Sequence, residues 1–272
     1  MRKTKYDLVF GLGNACSCTE TIRKAGLQLL SFPYDWITDA CTQPADAMHE
    51  ILPRVREVCA GFTGWFAKDE FQFLQSIPSN RKDAYINRRM NMIFNHDFPT
   101  GTPYDQAFEA VQTRYRRRAS RLLELIRTSS RVLVIRMDRP NQLAPTSVED
   151  CLRARHSFEC AFTPVKFDFF LFNYEKGRRF RDRIVEDVEP GFTRIAFDYR
   201  SYGDEKPEYQ VDIRTTGRIL SKRFSVRDYR TNEERRIYAK FRADKLRTRW
   251  KKGFLRLLDK FHLNQGQHEE TH

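Results

Sequence analysis

Tyr6-Asp-Leu-Val-Phe-Gly-Leu-Gly-Asn-Ala-Cys16 is the stretch that decides the fold. A short apolar run ends in Gly11-Leu-Gly13, and a cysteine follows three residues later. Beyond it, Ile22, Ala25, Leu27, Leu29 and Leu30 supply apolar surface at near-helical spacing, which predicts an amphipathic helix over Thr19 to Leu30. The reading is strand, tight turn, helix, with Cys16 at the turn. Backbone N–H groups and the helix dipole at such a position favour a thiolate, the nucleophilic form of cysteine. The same N–H groups can stabilise an oxyanion, and Asn14 is a candidate to assist them. The glycines do not make a phosphate loop: Cys16 stands where G-x-G-x-x-G needs its third glycine, and the Walker lysine is missing.

Further strands are predicted at Asn91–His96, Arg131–Arg136, Phe167–Tyr174 and Arg194–Tyr199. Between them lie predicted helices at Pro44–Ala60 (N-capped near Thr42), Pro103–Thr128 and Ser147–Phe162, the last opening on capping-box spacing of Ser147 and Asp150. Phe62–Phe66 and Phe71–Ile77 read as aromatic and irregular. Alternating strands and helices predict an α/β domain with a central, mostly parallel sheet flanked by helices over residues 1–205.

The charge is uneven. The chain carries +13 over 272 residues, and about +11 of it falls between Asp212 and His262. Within that segment, Thr231–His262 reads as one long helix in which Ile237, Phe241, Trp250, Phe254 and Leu257 make an apolar stripe among lysines and arginines. Residues 206–263 are therefore expected to form a basic, mainly helical C-terminal extension, and 264–272 a disordered tail. A solvated helix packing one face on the domain is the plain expectation. An anionic membrane surface is the next, and nucleic acid a weaker third because no reading motif accompanies the charge. No run approaches the roughly 18–20 apolar residues of a membrane span, and the start shows no signal-peptide apolar region. The expected location is cytoplasmic, extending to the inner membrane face if the basic helix binds lipid. The six cysteines read mostly as buried thiols, without metal spacing, so no metal or cofactor is expected.

A cysteine nucleophile needs a base within reach and a group to orient that base. His96 is the best-placed histidine, closing a strand between Phe94 and Phe98. Three carboxylates are candidates to orient it. Asp97 is adjacent and would face away along a continuous strand. Asp35 follows Pro33-Tyr34 beside Trp36, and Asp138 lies downstream of the histidine, just past the Val132–Arg136 strand. Arg136 could pair with an acid or bind a substrate anion. The plainer alternatives are a buried structural thiol at 16, a backbone-bonded turn histidine at 96 and a turn carboxylate at 35 beside a core indole at 36.

Three segments carry a resemblance: Leu12-Gly-Asn-Ala-Cys16, Pro33-Tyr-Asp-Trp36 and Phe94-Asn-His-Asp97, followed by the Arg114–Arg121 helix and the strand ending in Arg136. Their series resembles a bacterial family catalogued as papain-like cysteine peptidases, whose domain otherwise counts as one of unknown function. That family opens with a strand, a Leu-Gly-x-x-Cys turn and a helix. It continues with Pro-Phe-Asp-Trp, Phe-x-His-Asp, an Arg-rich helix and a strand ending in Phe-x-Arg. Tyr34 replaces the usual Phe here. The resemblance covers roughly residues 5–180 and leaves out the basic extension. It implies covalent acyl transfer by Cys16 with His96 as base and favours Asp35 as the orienting acid, on a peptide, amide or acyl-glycan substrate. It also implies an association with bacterial surface-polysaccharide metabolism. A peptidase, an amidase and an acyltransferase would share this machinery. The competing class is a non-catalytic binding or scaffold protein carrying a basic membrane-surface or nucleic-acid-binding helix.

Overall fold

A computed structural model describes residues 3–13, 15–40, 51–140, 145–200, 211–240 and 243–244. They divide into two units, one ending at Tyr229 and one starting at Arg230. In the first, β1 (Thr4–Tyr6) leads into β2 (Leu8–Gly11), α1 (Cys16–Lys24), β3 (Ile37–Asp39) and α2 (Ile51–Cys59). Then come β4 (Phe71–Ile77), β5 (Lys82–Asn87), β6 (Met92–Pro99), α3 (Tyr104–Arg127) and β7 (Arg131–Met137). The unit closes with α4 (Val148–Ala161), β8 (Lys166–Tyr174), β9 (Ile184–Glu189), β10 (Phe192–Phe197), α5 (Ile213–Arg223) and β11 (Phe224–Val226).

The central sheet runs β2-β7-β8-β10-β9, with every pair parallel except the edge strand β9. Its inner strands β7 and β8 are buried on both faces, as a sheet covered on both sides requires. Leu8, Phe10, Val132, Val134, Phe167 and Phe169 join one core, together with Val55, Tyr115 and Phe158 of α2, α3 and α4. The alternate residues Val9, Leu133, Ile135, Phe170 and Phe172 join a second core with Ile22 of α1 and Leu220 of α5. The period-two alternation of strand side chains thus divides one run of apolar residues between two cores. Each fully buried Leu, Val or Phe contributes about 1.5–3 kcal/mol relative to exposure.

The second sheet, β3-β6-β5-β4, is antiparallel throughout and was not anticipated beyond the strand near Asn91–His96. Phe71–Ile77, expected to be irregular, is its edge strand. Apart from Phe71 it is largely exposed, and its register shifts between Phe73 and Gln75, so it offers no clean alternation to read. The opening helix also differs. It begins at Cys16, three residues early, and ends at Lys24, short of the expected Leu30. Gly26 follows at φ 74°, and the chain turns there, with the Leu27 N–H bonded back to the Ile22 carbonyl. Leu27 stays buried as part of the connection. Ser147 caps α4, accepting from the Asp150 N–H, as its spacing predicts.

The first unit runs on to Tyr229. The Asp212-capped helix α5 joins α1 through Thr216 and Thr21, whose hydroxyls lie 2.9 Å apart, and β11 pairs in parallel with β1. In the second unit, Thr231 and Glu234 form a reciprocal capping box and residues 232–240 are helical. The rest of the expected 231–262 helix, apart from 243–244, lies outside the described residues, as do the 264–272 tail, the expected Thr42 cap and the first part of the Pro44–Ala60 helix. Among the described residues no helix is long and apolar enough to cross a membrane, and no group of three or more His, Cys, Asp or Glu could hold a metal.

Candidate active site at the head of the first helix

Cys16 is the first residue of α1, half-buried, beyond the carboxyl end of β2. Gly11 and Gly13 allow this turn. A side chain at Gly11 would stand 3.0 Å from Ile22 Cδ1 and 3.1 Å from Cys18 Sγ, so the bare backbone lets α1 pack close on β2. Gly13 sits at φ 27°, a conformation L side chains rarely adopt. The backbone N–H groups at the head of α1 act to lower the Cys16 thiol. Burial and the Glu20 carboxylate one turn along outweigh them, so the thiol is pushed above its usual value. The resting residue is a protonated thiol, and nucleophilic attack calls for a base. Asn14 lies outside the described residues.

Helical geometry places Thr19 and Arg23 on the same face as Cys16. Both engage the next motif. Thr19 donates to Asp35 at 3.2 Å, and the Arg23 guanidinium lies 3.6 Å from the same carboxylate and 5.2 Å from the centre of the Trp36 ring. Trp36 holds φ 70°, an uncommon conformation for a bulky residue. Its ring meets His96 of β6 edge to face at 6.2 Å, and β6 is bonded to β3 directly after the turn. The turn therefore lies along the Cys16 face of α1, with His96 across the indole.

Among the described residues no hydrogen bond joins Cys16 to His96, and none joins His96 to a carboxylate. The exposed imidazole has Asn80 Nδ2 at 3.5 Å from Nδ1, and Asn80 also donates to the Asn95 carbonyl. All three candidate acids are buried and engaged elsewhere. Asp35 accepts from Thr19, Gln28 and the Phe32 N–H, and burial holds its pKa up. Asp97 accepts from Tyr115 at 2.8 Å and pairs with Arg114. Asp138 accepts from the Thr146 hydroxyl and from Asn173, and burial raises its pKa too.

Arg136 is wholly buried, so it faces no substrate. It reaches the Gly13 carbonyl, Thr146 and Asp39. Arg54 of α2, equally buried, meets it there: it donates to the Leu12 and Gly13 carbonyls and pairs with the other Asp39 oxygen. Two guanidiniums sharing one carboxylate thus grip the carbonyls just before the cysteine turn. Neither Arg54 nor Asp39 stood out in the sequence, nor did Asn80. An arginine on an amphipathic helix reads as solvated until tertiary packing closes over it. A cavity of about 880 Å³ opens at the other end of the sheet, against the amino ends of β7 and β8. Its Arg131 is already paired with Asp168 and its Arg155 with Glu159 and Glu189.

No curated protein and no solved structure matches the chain. Residues 7–153, more than half of the 272, match a family model described as "Putative papain-like cysteine peptidase". That span holds the Leu12–Cys16 turn, the Asp35-Trp36 turn, His96 and Arg136, and the chain belongs to this family.

Proposed function

We propose that this protein is a thiol acyl-transfer enzyme of the cysteine-peptidase type, with Cys16 as nucleophile and His96 as base. The observation that carries the reading is the placement of half-buried Cys16 as the first residue of α1. In the reaction the His96 imidazole takes the thiol proton as sulfur attacks a substrate carbonyl. The N–H groups at the head of α1 receive the oxyanion, and imidazolium returns the proton to the leaving group. The thioester then passes to water or to an acceptor hydroxyl or amine. Because the resting thiol is protonated and not bonded to His96, the pair assembles when substrate seats, as apo catalytic contacts commonly do. Trp36 is the wall that holds the imidazole, and Asp35 is a positioning residue that pins the Trp36 turn to α1.

The substrate class is a peptide, amide or acyl-glycan carbonyl, and the cellular setting is surface-polysaccharide metabolism at the cytoplasmic face of the membrane. The family resemblance and the basic segment between Asp212 and His262 support that setting, the segment offering lysines and arginines to anionic lipid. The test is to incubate the protein with an activated ester and map the acyl group by mass spectrometry. Label on Cys16, lost in Cys16→Ser, is the expected result. Absence of label at Cys16 would leave a binding protein on the same fold.

A further inference from the structure

The sulfur–imidazole contact among the described residues lies away from the Cys16 turn. On α4, Cys160 Sγ stands 3.6 Å from His156 Nε2 and 4.0 Å from Nδ1, and both residues are exposed. They are one helical turn apart, and a helical side chain leans toward the N-terminus, so the thiol of Cys160 lies back over the turn of His156 and Ser157. A second thiol reaches that turn. Cys59, the last residue of α2, points its sulfur at the Ser157 carbonyl from 3.6 Å. Burial, with Cys160 as a lesser cause, pushes the Cys59 thiol up to about 11. Both cysteines are free.

We infer that Cys160, His156 and Cys59 form a peroxide-responsive thiol pair that can link α2 to α4 through a disulfide. His156 accepts the Cys160 proton, and the thiolate attacks a hydroperoxide oxygen. The O–O bond breaks, sulfur becomes the sulfenic acid, and the departing hydroxide or alkoxide takes the proton from imidazolium. The Cys59 thiol then attacks the sulfenic sulfur. The S–S bond forms, and the hydroxyl leaves with the Cys59 proton as water. One peroxide is reduced by two electrons, and the thiol pair is oxidised by two. The roles are not interchangeable: Cys160 is exposed with a base beside it, whereas Cys59 is half-buried and holds its proton. The second step is accordingly the slow one. The bridge would form on α2, the helix that also carries Arg54 and its grip on the cysteine turn. The pair itself does not depend on Cys16 being catalytic.

The experiment treats the full chain, dilute, with hydrogen peroxide near neutral pH and maps thiols by mass spectrometry. A Cys59–Cys160 peptide that disappears in Cys59→Ser and in Cys160→Ser is expected. In Cys59→Ser, a sulfenic-acid trap should label Cys160, and His156→Gln should slow that labelling roughly tenfold or more. All three positions are exposed or half-buried, so these variants should keep the fold, checked by circular dichroism. Cys160 oxidising no faster in the wild type than in His156→Gln would overturn the inference, and so would a Cys160 disulfide to any cysteine other than Cys59.

Discussion

The Trp36 indole stands edge-on to the His96 imidazole with their centres 6.2 Å apart, and the same indole lies under Arg23 of the cysteine helix. One aromatic ring therefore links the strand that carries the proposed base to the helix that carries the proposed nucleophile. Its backbone holds φ 70°, so the position constrains the chain as well as the site.

Trp36→Gly and Trp36→Ala should separate these two roles. Both lose the ring, but glycine adopts the left-handed conformation without the penalty of about 1–2 kcal/mol that alanine meets. Urea unfolding should rank Gly above Ala by about 1 kcal/mol. Equal stability, or alanine above glycine, would show that the turn relaxes on losing the indole.

Removing one arginine from the buried group at Asp39 should be costly. Arg54→Met or Arg136→Met leaves a buried carboxylate with half its compensation and takes one of two arginine donors from the Leu12 and Gly13 carbonyls. A loss of about 3–5 kcal/mol is expected by urea unfolding. A change below about 1 kcal/mol would mean the carbonyls and Asp39 find water instead.

Asp35→Asn should lower stability while sparing chemistry. The carboxylate accepts from Thr19, Gln28 and the Phe32 N–H, and an amide there turns one acceptor oxygen into a donor facing donors. A cost of about 1–3 kcal/mol follows. At a temperature where the variant is folded, acylation of Cys16 should fall by less than tenfold, as suits a residue bonded to the Trp36 turn instead of to the imidazole. A loss of several hundredfold would make Asp35 part of the catalytic machinery.

Stability should fall on the alkaline side. Burial raises the Cys18 and Cys151 thiols from 9.0 to about 12 and Cys59 to about 11. Above pH 9 the unfolded chain releases these protons while the folded chain keeps them, so the folded state binds more protons and stability declines with rising pH. Each such thiol adds a slope of up to about 1.4 kcal/mol per pH unit. Between about pH 8.5 and 10.5 the urea midpoint should drop, and Cys18→Ala should flatten the decline. An unchanged slope in Cys18→Ala would show that its thiol titrates alike in both states.

The central sheet was legible because its inner strands, buried on two faces, spell continuous apolar runs: Val132–Ile135 and Phe169–Phe172 cannot be mistaken for solvated chain. β4 and β5 were not, because Phe73 and Leu74 are exposed on an edge strand and a bulge breaks the alternation. At the site, Cys16 and Trp36 declared themselves through residue type and neighbouring glycine or proline. Asp39, Arg54 and Asn80 did not, because what distinguishes them is distant chain: Arg54 matters through carbonyls 41 and 42 residues away. Arg136, readable as paired with an acid or as an anion binder, is buried against Asp39, and an arginine ending a strand looks the same in sequence whether it faces water or a buried aspartate.

The most direct test is the rate at which an activated ester acylates Cys16, followed by peptide mapping in the wild type and in His96→Gln across about pH 5–9. If His96 is the base, the wild-type rate should rise with pH over this range, and His96→Gln should abolish that rise and be slower by about a hundredfold or more near neutral pH. Equal rates and the same pH profile in the two proteins would contradict the assignment of His96 as the base for Cys16.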